Sequence, residues 1–263
     1  MINQKGGCGK SSVCFHLSGA LAAAGKRVLL LDLDPQASLS QGFFGSATIE
    51  SIEARNTIAK LFDAGASFAS VDQLAVPTPF ENISIVLSNQ CLAKYNTPEP
   101  ESSGLLQHAI RDFVNEATDF DVVLIDCPPN LYRCSWTSLI GSDYVVIPVP
   151  PEDFGTQGLR AVHQTIEQAR KLNPGLRRLG HLISRSDRRL LIHRAYEQRV
   201  REIYGDSVLE TVIPEANAFK VSLARRTPVA FDSPDSQAAK LTAELCQEIF
   251  ERVNEKTELQ RVA

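Results

Sequence analysis

The chain has 263 residues, 43% of them apolar and 22% charged, with a formal net charge of −4 at pH 7. These are values of an ordinary folded protein; they exclude a disordered chain and, since no apolar run approaches the ~20 residues that cross a bilayer, a helical membrane protein. The slightly acidic balance argues against constitutive coating of nucleic acid. The six dispersed cysteines contain no CxxC, which excludes a zinc knuckle or disulfide scaffold, and they read as buried or incidental thiols. With no basic-then-apolar leader, the expectation is a cytoplasmic protein folded as a single domain over residues 1–263.

Lys5-Gly6-Gly7-Cys8-Gly9-Lys10-Ser11-Ser12 opens the chain and runs directly into a helical pattern over 10–24. Glycines let the backbone curl so that successive N–H groups point at phosphate oxygens, and the helix N-terminus adds partial positive charge. Lys10 can then reach the β and γ phosphates, the Ser11 hydroxyl can ligate Mg²⁺, and Ser12 is placed for the α phosphate. Only Met1 to Gln4 precede Lys5, although a loop of this kind is normally fed by a buried central strand. Four or five missing apolar side chains at roughly 1.5 to 3 kcal/mol each rival a typical net stability of about 5 to 15 kcal/mol. The first strand therefore reads as truncated, and the natural protein is expected to start upstream.

Further along, short runs rich in Val, Leu and Ile alternate with amphipathic stretches. Strands are predicted at 27–33, 83–87, 122–126, 144–149, 179–183 and 208–213, and helices at 10–24, 57–63, 103–117, 135–140, 156–172, 191–204 and 236–254. Residues 96–103, with two prolines and two glutamates, read as an exposed loop. This alternation specifies an α/β fold: a doubly wound, mostly parallel sheet with helices on both faces.

The strand at 27–33 ends in Asp32-Leu33-Asp34-Pro35-Gln36, which puts carboxylates at the edge where open α/β sheets place their ligands. Near a γ phosphate, a carboxylate at this edge can position water. In Val122-Val123-Leu124-Ile125-Asp126, four apolar residues deliver an acid dry and close to a Mg²⁺ hydration shell, so Asp126 is expected to hold the metal through water. From Arg170 to Arg201 there are ten Lys or Arg against Asp187 and Glu197.

The octet KGGxGK[ST] resembles the deviant Walker A motif of the superfamily of ParA, MinD and the nitrogenase iron protein. The segment 29–36 resembles its DxDPQ element. Asp126-Cys127-Pro128-Pro129 is similar to the DCPP of ParA and Soj, with Asn130 departing from the serine usual there. Residues 144–150 resemble the VLIPV strand and 152–159 the E-x-F-x-x-x-G-L segment, so the resemblance spans roughly 2–250. It implies a P-loop ATPase, slow and stimulated by a partner, that takes ATP and Mg²⁺ on residues 5–12 and Asp126. Lys5 would reach across an ATP-dependent homodimer, and Asp34, Lys5 and Lys10 would carry catalysis. The family's dimers bind double-stranded DNA without sequence preference and answer to a ParB-like activator, which implies a nucleoid-associated protein that partitions plasmid or chromosome. Such DNA affinity needs several Lys or Arg meeting phosphates, and the candidates are Arg185, Arg188, Arg189, Lys220, Arg225 and Arg226. The family's IPRN segment reads Ile213-Pro214-Glu215-Ala216 here and loses an arginine; Pro214 and Ala216 would border adenine through backbone atoms.

Other readings stay open at this stage. A ParA relative that positions another cargo, such as a chemoreceptor cluster or protein compartment, would share every ATP and DNA feature. A metabolic ligase or small-molecule kinase on the same loop would need an acceptor pocket. A MinD-like membrane positioner would need a basic amphipathic C-terminal helix, but 244–258 is acidic. An iron-protein reductase would need cluster cysteines, for which Cys91 and Cys127 or Cys134 lack the surrounding motifs.

Overall fold

The computed structural model describes residues 1–63, 69–98, 100–151 and 156–262. In chain order its elements are α1 (Lys10–Ala23), β1 (Val28–Asp32), α2 (Ser38–Phe44), α3 (Ser46–Glu50), the single turn α4 (Val71–Leu74), β2 (Ala75–Pro77) and β3 (Ile83–Val86). The second half continues with α5 (Ala109–Asn115), β4 (Val122–Asp126), α6 (Arg133–Ile140), β5 (Tyr144–Val149), α7 (Thr156–Ala169), β6 (Arg177–Ser186), α8 (Leu191–Tyr204), β7 (Ile213–Pro214), α9 (Asn217–Ala224), α10 (Val229–Asp232) and α11 (Gln237–Val262).

The strands run β2-β3-β1-β4 and β5-β6-β7, parallel throughout except for the antiparallel edge strand β2. Between β4 and β5 lie the first residues of the chain. The Met1 ammonium donates to Ile125 O at 2.7 Å, Cys127 N donates to Met1 O at 3.3 Å, and Ile2 N donates to Val146 O at 3.2 Å. Backbone hydrogen bonds of Met1 and Ile2 thus connect β4 of one sheet to β5 of the other. Beside Met1 lies a cavity of about 450 Å³ lined by Val123, Tyr144, Leu17, Val114 and Phe250. Val122, Val123 and Leu124 are in consequence only half-buried.

Side chains alternate between two buried clusters. Ile2, Leu29, Leu31, Ile125 and Ile147 face α5 to α8, while Val28, Leu30, Ile85 and Leu182 face α1, α2 and α11. Because both faces are covered, β1 reads as a continuous apolar run rather than an alternating one.

Several predicted elements change. The strand expected at 208–213 is reduced to β7 plus a single bridge from Val208 to His181. The reason is local: Glu248 of α11 accepts from the N–H groups of Glu210 and Thr211 at 2.8 and 2.9 Å, so a carboxylate takes donors that a ladder would need. The helix expected at 103–117 contracts to α5. Gly104, at φ 57° and ψ −134°, interrupts 3₁₀ turns over Pro100–His108, which also replace part of the loop expected at 96–103. The helix expected at 57–63 is a 3₁₀ segment, Ile58–Phe62. Residues 152–155 of the E-x-F-x-x-x-G-L resemblance lie outside the described residues.

Candidate nucleotide site

The site forms where the first residues of the chain turn into α1. Asn3 anchors the turn, with Nδ2 donating to Pro148 O at 2.6 Å and Oδ1 accepting from Lys5 N at 3.0 Å. Gly7 and Gly9 then take φ of +70° and +89°, left-handed values that residues with a Cβ rarely adopt, and these let the loop curl over the first turn of α1. The buried Lys10 ammonium donates to Asn3 O and Lys5 O, both at 3.1 Å, which keeps it inside the curl at the helix N-terminus. Ser184 of β6 donates to Cys8 O at 2.7 Å, and Arg185 Nη1 donates to Gly7 O at 2.6 Å. The loop's carbonyl side is thereby held by β6, and its amide side is left to face an anion.

Two acids from adjacent strands end at this loop. Asp32 accepts from Asp34 N, Ser40 N and Ser40 Oγ at 3.1, 2.9 and 2.7 Å, so it braces the start of α2 and the Asp34 turn. Asp126 is also fully buried, but neither of its carboxylate oxygens meets a donor in hydrogen-bonding geometry. Burial raises the carboxyls of both acids above the usual range; for Asp126 the nearby Ser11 hydroxyl and the N-terminal and Lys10 ammonium groups oppose the rise. An unpartnered buried carboxylate costs on the order of 1–3 kcal/mol or more. A hydrated divalent cation beside Ser11 would satisfy it, so the donor set fits Mg²⁺.

Asp34 is nearly buried at the carboxyl edge, with Oδ1 accepting from Gln36 N at 2.9 Å and its carbonyl accepting from Ser88 Oγ at 2.8 Å. It shares a cavity of about 380 Å³ with Gly6 through Ser12, Pro214 and Ala216, so residues predicted from three separate stretches of sequence come together. Lys5 lies at the loop's edge, half-buried.

The six cations considered for DNA divide. Arg185 and Lys220 line the same cavity, and Glu215 accepts from them at 3.4 and 2.6 Å, so the Lys220 ammonium above all holds the Glu215 carboxyl below its usual range. Arg188 and Arg189 are exposed ahead of α8, with Arg189 paired to Asp187 at 2.7 Å. Arg225 pairs with Asp232 at 3.2 Å, and Arg226, at φ +55°, packs against Gly45. Sequence reasoning missed Ser40, Ser184 and the part Glu215 plays; the exchange of arginine for glutamate at 215, with an arginine at 185, was the available signal. Among the described residues no helix is long and apolar enough to cross a membrane, and no group of three or more His, Cys, Asp or Glu could hold a metal ion.

Residues 1–178 match the AAA domain family. The chain is 31% identical over 262 residues to the chromosome-partitioning ATPase Soj of Thermus thermophilus, covering 97% of this chain and 96% of Soj. Among solved structures it is similar to cobyrinic acid a,c-diamide synthase of Mycobacterium smegmatis with bound ATP analogue and magnesium, at 25% identity and a TM-score of 0.75 over 94% of this chain and 91% of that one. It also shares its fold with Cyanothece McdA, solved as an ATP complex of a point variant, at 20% identity and a TM-score of 0.79 over 96% and 94% of the two chains.

Proposed function

This chain belongs to the ParA/Soj family of partitioning ATPases, and from that premise we propose that it is a MgATP-dependent dimerising switch that rides on DNA in its ATP state. ATP occupies the cavity with its phosphates on the amides of residues 6–12 and on Lys10. Ser11 and, through water, Asp126 hold Mg²⁺, which neutralises phosphate charge. Lys5 closes the dimer, where two facing triphosphates would otherwise repel. Asp34 aligns the attacking water, because phosphoryl transfer depends on positioning and electrostatics more than on covalent chemistry by the protein. The output of a slow, partner-stimulated hydrolysis is then a change of state, read by a ParB-like activator at the nucleoid, within one ATPase domain in the cytoplasm.

The observation that supports this reading most is the meeting of a glycine-curled loop and buried Lys10 with a fully buried Asp126 whose oxygens lack donors. A dimer would double any cationic patch, so ATP-gated DNA binding follows without new chemistry. The test is sedimentation of the protein with random-sequence duplex DNA under ATP, ADP and no nucleotide at two salt concentrations. Salt-sensitive binding with ATP alone supports the reading. Equal or absent binding in all three states removes DNA from it.

A further inference from the structure

Arg185, next to last in β6, takes a left-handed conformation, φ +56°, which a residue with a Cβ adopts rarely and which clusters at functional sites. Its guanidinium reaches over the phosphate loop, with Nη1 on Gly7 O at 2.6 Å and Nη2 3.4 Å from Glu215 Oε1. Glu215 is fixed in turn: its N–H donates to Ser186 O at 3.0 Å and its carboxylate accepts from Lys220 Nζ at 2.6 Å. Arg185 therefore bridges the phosphate loop and the 213–216 segment, and both line the same cavity.

Which part of a nucleotide such a cation meets follows from the side of the loop it holds. In a curled loop the amides face the anion and the carbonyls face away. Arg185 is bonded to a carbonyl, as is Ser184 beside it, so it stands outside the phosphate nest and toward the segment that follows β7. A guanidinium bonded through its edge keeps its planar faces, and such a face stacks well on an aromatic ring. Beside the 213–216 segment the positive charge thus arrives from β6, across an ion pair with Glu215.

We propose that Arg185 is a nucleotide-positioning residue that lays its guanidinium plane against the base of bound ATP, while Gly7 and Glu215 hold its edge. The inference rests on the reading of this cavity as an ATP site.

The experiment titrates ATP, ADP and inorganic tripolyphosphate against the full chain and against Arg185→Ala, Arg185→Lys and Glu215→Gln, with Arg185→Gly included because glycine keeps the positive φ if alanine disturbs folding. Removing the side chain should weaken ATP and ADP alike by about three- to thirtyfold, the span from an exposed to a desolvated cation–π contact, and leave tripolyphosphate unchanged. Arg185→Lys should stay close to Arg185→Ala, since lysine keeps the charge but not the plane. Glu215→Gln should show a partial loss that disappears once Arg185 is absent. Equal loss for tripolyphosphate would make Arg185 a phosphate contact, and unchanged nucleotide affinity would free it for DNA; either result overturns the proposal. The wild-type ATP titration tests the underlying reading separately from the Arg185 comparison.

Discussion

Asp32 and Asp126 are register partners at the carboxyl ends of adjacent parallel strands, and the protein satisfies one carboxylate and not the other. Asp32 is spent on Ser40 and the Asp34 backbone. Asp126 faces the loop with its oxygens uncommitted. Equivalent substitutions should therefore separate. Asp32→Asn turns a donor toward donors and should lower stability by about 1–3 kcal/mol, seen as a lower Tm without ligand. Asp126→Asn removes a buried charge at little cost to that Tm and should abolish the Mg²⁺ dependence of ATP binding. Matching effects of the two variants in both assays would contradict this division.

Lys10 and Asp34 should part in the same manner. Lys10→Ala takes away the ammonium held at the helix N-terminus and should eliminate ATP binding in a fluorescent-nucleotide titration. Asp34→Ala should bind ATP with near-normal affinity but lose at least about 100-fold in hydrolysis, the scale of a misplaced reactive geometry. Normal ATP turnover by Asp34→Ala would refute its role.

The cavity between β4 and β5 has a consequence for stability. Adding four aliphatic, β-branched residues before Met1 would place an extended segment along Val122 to Leu124, beside a mostly apolar lining. Burial worth roughly 1.5 to 3 kcal/mol per side chain, at about 2–4 °C per kcal/mol in a chain of this size, should raise Tm by about 10 °C or more. A four-residue Gly-Ser extension is the control, and equal Tm values for the two extensions would show that the cavity does not take a strand.

His181 carries a pH dependence. It is fully buried, its Nε2 lies 2.9 Å from His163 Nε2 and its Nδ1 3.2 Å from Ser207 O, and burial, with His163 and Arg178 adding to the effect, pushes it down to about 4. Below its ordinary 6.5 the unfolded chain takes up the proton first, so stability should fall as pH drops from about 6.5 to 4, by on the order of 3 kcal/mol. Denaturant unfolding across that range should show the decline in wild type and a shallower one in His181→Gln. Parallel profiles would count against this assignment.

The site was more legible than the fold around it. Lys10, Ser11, Asp34 and Asp126 could be singled out because each sits at a strand end or helix start marked by glycines or by an apolar run ending in an acid. What stayed hidden depends on contacts distant in sequence. Glu248 takes the N–H groups that would have made 208–213 a strand, and Arg185 reaches back 178 residues to Gly7. From sequence alone Arg185 was one more basic residue in a basic segment. The short helices α2, α3, α9 and α10 escaped because each is eight residues or fewer, too short for a periodic pattern.

Nucleotide-gated self-association is the core of the proposed switch, and sedimentation velocity of Asp34→Ala with MgATP, with MgADP and without nucleotide tests it directly. The predicted result is a dimer with MgATP alone, returned to monomer when Lys5→Ala is added. The same sedimentation coefficient in all three conditions would contradict the switch and leave a nucleotide-binding protein whose output lies elsewhere.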